Sequence, residues 1–153
     1  QNAAALAVVS GGGYCMAGTT IALDGTTRAW AAKVDGIGTP IWTYAYPSAG
    51  ASRGYALVAR NDGGIAIAGS TRTSSSALDD ALLLSLSGAG TLQWAHSYGG
   101  PYTDRAYALI LEPDGGYALA GSTESFGTPG TNMYLVKTNS AGTQLSFPLP
   151  GRH

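Results

Sequence analysis

Three times in this chain an apolar segment enters a glycine turn and leaves as a second apolar segment ending in Ala-Gly-(Ser/Thr)-Thr. The copies read Ser10-Gly-Gly-Gly-Tyr-Cys-Met-Ala-Gly-Thr-Thr20, Asn61-Asp-Gly-Gly-Ile-Ala-Ile-Ala-Gly-Ser-Thr71 and Pro113-Asp-Gly-Gly-Tyr-Ala-Leu-Ala-Gly-Ser-Thr123. Their closing glycines, Gly18, Gly69 and Gly121, lie 51 and 52 residues apart. A period of this size marks a repeat architecture, in which each unit buries its apolar surface only by stacking on its neighbours.

Aligning the copies gives four β segments per repeat. Segment a covers residues 4–10, 55–61 and 107–112, and segment b covers 14–19, 65–70 and 117–122. Segment c covers 29–34, 81–86 and 133–138; segment d covers 40–46, 92–98 and a weaker 143–147. Asp-Gly-Gly joins a to b in two copies, a strong hairpin signal because glycine takes positive φ without steric penalty. No stretch carries helical periodicity over 11 or more residues, so the chain reads as all-β.

Segment b alternates large with small rather than apolar with polar. One side carries Tyr14, Met16, Ile65, Ile67, Tyr117 and Leu119; the other carries Cys15, Ala17, Ala66, Ala68, Ala118 and Ala120. A strand with one wet face alternates apolar with polar, so this pattern predicts cover on both faces, bulky side on small side. Four-stranded antiparallel sheets sandwiched between copies of themselves are β-propeller blades. The expectation is a single domain over 1–153, with blades at about 3–46, 54–100 and 106–147. Closed propellers use about four to eight blades, so three make an open arc or part of a larger ring. A two-chain ring, a face-to-tail stack and a longer chain would each cover the end faces.

These motifs, with Tyr134-Leu-Val-Lys-Thr138, Trp94, Tyr98-Gly-Gly100 and Asp104, resemble the tandem Asp-Gly-Gly-Tyr repeats of secreted bacterial and archaeal β-propeller proteins. The resemblance spans residues 3–145 and implies an extracellular propeller, often part of a larger surface or adhesive protein. It implies no shared catalytic residues. The chain departs from the pattern at Gly11, which replaces Asp, and at Ser146, which stands in the Trp position.

Composition narrows the function classes. Charged residues are 11 % and formal net charge is −1, which removes the electrostatic case for nucleic acid or an anionic membrane. Cys15 is the only cysteine, so neither a disulfide framework nor a cysteine metal cage is available. No apolar run approaches the roughly 18 residues of a membrane-spanning helix. A start at Gln1 rather than Met is consistent with secretion.

Among polar residues, His96 falls in the outer strand d, where a solvated edge is expected. Asp62 and Asp114 are expected to bond their own turn backbones rather than a metal. Asp79-Asp80 opens segment c as a capped loop rather than a metal site; Arg53 and Arg105 are expected to pin the d–a loop by hydrogen bonding, with a ligand-contacting rim as the alternative. No nucleophile with its base, metal cluster or cofactor motif emerges, so no catalytic, metal or cofactor residue is assigned and the chain reads as non-enzymatic. Candidate ligand or interface contacts are Trp42, Trp94, Tyr98, Tyr102, Asp104 and Arg105, where aromatic rings crowd the end of segment d. The leading functional expectation is structural: self-association or further blades of the same protein. A lectin-like module binding a glycan is the alternative, and an enzyme domain the third.

Overall fold

A computed structural model describes residues 1–74 and 77–145. Among them are eleven strands and no helix: β1 (Asn2–Val8), β2 (Tyr14–Ile21), β3 (Thr27–Val34), β4 (Pro40–Ala45), β5 (Ser52–Ala59), β6 (Ile65–Thr71), β7 (Asp80–Leu86), β8 (Leu92–Tyr98), β9 (Asp104–Leu111), β10 (Tyr117–Thr123) and β11 (Asn132–Thr138). They form three antiparallel sheets in sequence order: β1-β2-β3-β4, β5-β6-β7-β8 and β9-β10-β11. The fourth segment of the last repeat is reduced to one bridge, Thr138 to Gln144. The rest of that segment, with Ser146, lies outside the described residues.

Tight hairpins follow from the glycine turns. Gly63 and Gly115 take φ of 86° and 88°. The carboxylates of Asp62 and Asp114 accept the amides of Gly64 and Gly116, each at 2.9 Å, as the turn chemistry requires.

The first strand of every sheet begins two to three residues earlier than the sequence pattern suggests. A β-bulge is the reason. Register shifts between Ala3 and Ala5, Gly54 and Ala56, and opposite Ala120/Gly121 leave Ala4, Tyr55 and Tyr107 unpaired. Beyond the bulge, pairing resumes with Arg53 opposite Ser70 and Asp104 opposite Thr123. An extra residue on one strand bends the backbone toward its partner. Here it lays the carbonyls of Asn2, Arg53 and Arg105 where a Cβ on Gly18, Gly69 and Gly121 would stand. The invariant glycine of the repeat is therefore a close-approach glycine.

Large-small alternation sets the stacking. The small side of the first sheet (Cys15, Ala17, Ala29, Ala31) packs with the bulky side of the second (Ile65, Ile67, Leu82, Leu84, Leu86). The small side of the second (Ala66, Ala68, Ala81, with Leu83) packs with the bulky side of the third (Leu109, Tyr117, Leu119, Tyr134, Val136). Every residue of β6 is buried, so the middle sheet is covered on both sides. Cys15 is fully buried in the first of these layers, and burial pushes its thiol pKa up against the smaller pull of Lys33. It serves as a small packing residue.

Gly69→Ala is expected to cost about 3 kcal/mol or more in urea denaturation, because the added methyl meets fixed backbone. Gly36→Ala, in an open turn with nothing nearby, should stay within about 0.5 kcal/mol of the parent. Equal costs at the two positions would remove the bulge argument.

Candidate functional site

The candidate aromatic residues fall on the seams between sheets. Trp42 on β4 donates its indole N–H to the carbonyl of Gly88 (3.0 Å) and lies over Gly90, in the β7–β8 turn of the next sheet. Trp94 on β8 repeats this one sheet later. Its ring covers Gly142, in the turn after β11, and meets Tyr117 edge-on at 5.9 Å. A Cβ on Gly90 or Gly142 would enter the indole, so these turn glycines are seats for the preceding sheet's tryptophan.

His96 and Tyr98 alternate with Trp94 along β8 and share its side. His96 is exposed and its Nε2 reaches the Ala141 carbonyl at 3.0 Å. Tyr98 is buried and its hydroxyl donates to the Gly142 carbonyl; burial, with Tyr134 nearby, raises its pKa. Tyr102 stands apart, exposed in the β8–β9 loop, where its amide donates to Ser125 Oγ (3.0 Å).

Asp104 and Arg105 open β9 and occupy a polar knot. The Asp104 carboxylate is fully buried and accepts the Thr123 hydroxyl, the Ser125 hydroxyl (2.6 Å) and the Gly100 amide (2.9 Å). Its own amide donates to the carbonyl of Asp79 (2.7 Å), which ties the third sheet to the second.

Arg105 crosses the same seam. Its Nε and Nη2 reach Asp79 Oδ2 at 2.6 and 2.5 Å, while Arg72 Nε reaches Oδ1 at 2.5 Å. Asp79 is 1 % exposed. Burial alone would raise its pKa, but hydrogen bonds from Arg72 and Arg105 outweigh that and hold it below the ordinary carboxylate range. Neighbouring Asp80 has no arginine partner among the described residues, and burial with Asp104 and Asp79 nearby pushes its pKa up. Tyr134 faces the same group and is raised to about 12, first by burial and then by Asp104 and Asp80.

The six candidates thus separate into a turn-seating set (Trp42, Trp94, Tyr98), a seam-locking pair (Asp104, Arg105) and a loop residue (Tyr102). Sequence reasoning did not single out Arg72 as a partner of Asp79, nor Arg60. Arg60 bridges three strands by donating to the Ile65 carbonyl (2.9 Å), Ser85 Oγ (2.7 Å) and Gln93 Oε1 (2.7 Å). Neither arginine recurs in the other repeats, so the repeat alignment gave no signal for them.

Among the described residues, no group of three or more His, Cys, Asp or Glu side chains is arranged to hold a metal ion. No helix among them is long and apolar enough to cross a membrane. Comparison with protein-family models found none that matches the chain, and comparison with curated proteins found none similar to it.

Asp79→Asn is expected to destabilise by roughly 2 kcal/mol at pH 7, less than a wholly buried ion pair because both arginines are a third exposed. A carboxylate with a depressed folded pKa contributes above its unfolded pKa of about 3.9 and loses that contribution as pH falls through the folded value. The gap between parent and Asp79→Asn should therefore hold from pH 7 to about 5 and close below about 4. A gap independent of pH down to 2 would contradict the ion-pair assignment.

Proposed function

We infer that the three sheets are propeller-type blades of a non-enzymatic extracellular structural protein, and that its two end faces associate with further copies of the chain. One observation carries this reading: the two outward faces are largely apolar and of opposite kind, the third sheet's side carrying the Lys137–Glu112 ion pair at its turn end. The outer side of the first sheet is bulky, with Leu6, Val8, Tyr14 and Met16 in the positions that Leu57, Ala59, Ile65 and Ile67 hold in the second. Leu6 and Val8 are 67 % and 70 % exposed there. The outer side of the third sheet carries Ala108, Ile110, Ala118, Ala120 and Leu135, matching Ala56, Val58, Ala66, Ala68 and Leu83 of the second. Each face is the complement of the other, as at the two internal seams.

Magnitude favours a ring over a filament. Strands about 4.8 Å apart and about six residues long give a face on the order of 400 Å² for the four strands of the first sheet and about 300 Å² for the three of the third. Two chains closing a ring cover two faces of each kind, about 1,400 Å² in all, within the range of standard stable interfaces. A single face-to-tail contact covers about 700 Å², in the range of lattice contacts.

The polar clusters support a non-catalytic reading, since Asp79 and His96 hold the second sheet to the third and the Asp104 carboxylate is taken up by Thr123, Ser125 and the Gly100 amide.

Light scattering on the chain at tens of micromolar should give twice the 15.5 kDa chain mass. Leu6→Glu, on the bulky end face, should return it to a folded species of single-chain mass. A parent protein that is already monomeric would contradict assembly from copies, and leaves further blades of a longer chain as the cover.

A further inference from the structure

The two seams share one stacking rule but differ sharply in the polar groups beside the bulge. Between the second and third sheets, Arg72, Asp79 and Arg105 fill the end of the seam beside the bulge. Counting from the closing glycines and the β-pairing, the same places between the first and second sheets hold Ile21, Thr27 and Arg53. The carboxylate is missing, one arginine has become isoleucine, and the remaining arginine has no acidic partner among the described residues.

A groove of about 530 Å³ opens there, lined by Arg53 and Tyr55 of the second sheet and by Gln1, Asn2, Thr19, Ile21 and Thr27 of the first. Its volume lies within the roughly 300–1,000 Å³ of small-ligand sites. No acidic side chain lines it. Arg53 is half-buried at the mouth of the seam. Tyr55, the bulged residue of β5, is fixed by the Tyr107 ring at 4.9 Å and supplies an aromatic wall.

We propose that this groove binds the carboxylate of an acidic sugar, a uronic acid unit of a polysaccharide, with Arg53 taking the carboxylate as Arg105 takes Asp79. A guanidinium is shaped for a carboxylate and pairs with it more strongly than neutral groups do. The hydroxyls of Thr19 and Thr27 and the amide of Asn2 suit sugar hydroxyls, and Tyr55 suits the apolar face of a pyranose ring. A peptide carboxylate shares the arginine but has less use for that polar, aromatic surround. The site is independent of how the end faces are covered.

Calorimetric titration with an oligogalacturonate, a neutral galactose oligomer and a glutamate-rich peptide tests this on three proteins. The parent should bind the oligogalacturonate, with affinity falling as salt rises, and should bind the other two at least tenfold more weakly. Arg53→Gln should weaken the oligogalacturonate at least tenfold with an unchanged circular dichroism spectrum. Thr27→Asp supplies the missing carboxylate from within the chain; it should abolish binding and raise the melting temperature, which a misfolded variant would not do. No saturable binding by the parent, equal binding by Arg53→Gln, or equal affinity for the neutral sugar or the peptide overturns the proposal.

Discussion

Everything in this structure depends on how closely the bulged first strand of each sheet approaches the second. The carbonyl before each bulge lies where a side chain would begin on Gly18, Gly69 or Gly121, so only glycine admits it. The bulge carries Tyr55 and Tyr107 out of the ladder and lets pairing continue to the residues that lock the seams. Without it, Asp104 and Arg105 would not reach the second sheet. The repeated Ala-Gly-(Ser/Thr)-Thr is thus a steric requirement of sheet geometry rather than a binding motif.

Bulk alternation does the rest of the stacking. A sheet whose two sides differ in size gains most when a bulky side rests on a small one, because voids and overpacking are both costly. The two internal seams follow that rule with different residues: leucines and isoleucines at one, tyrosines and valine at the other. The exposed sides of the first and third sheets repeat the bulky and small patterns of the internal seams, which is the basis for proposing a second copy as their cover.

Much of this was legible in the sequence. Strand order, hairpin turns and the two-sided cover of β6 follow from alternation and glycine placement, which are local signals. The bulge was not legible, because an unpaired Tyr55 looks like any residue in an apolar run; the signal was the glycine opposite it. The seating of Trp42 on Gly90 and Trp94 on Gly142 needed the stacking of sheets to become visible, although the 52-residue spacing of the tryptophans hinted at a common task. Arg72 and Arg60 act across strands and occur once each, beyond the reach of repeat alignment. Thr27 shows the converse: departure from the repeat is informative only once Asp79 is known to be clasped by two arginines.

The central claim is that the outer faces of the first and third sheets are halves of one seam. Cysteines placed at Met16 and Ala120, one on each face, test it directly, since the only native thiol, Cys15, is fully buried. A short bis-maleimide linker, which spans the roughly 10 Å between packed sheets, should join chains of the double variant, seen as a linked species on a denaturing gel, while neither single variant is joined. Linkage by a single variant would mean that like faces meet, and no linkage in the double variant would mean that the faces do not meet at all; either result contradicts the account.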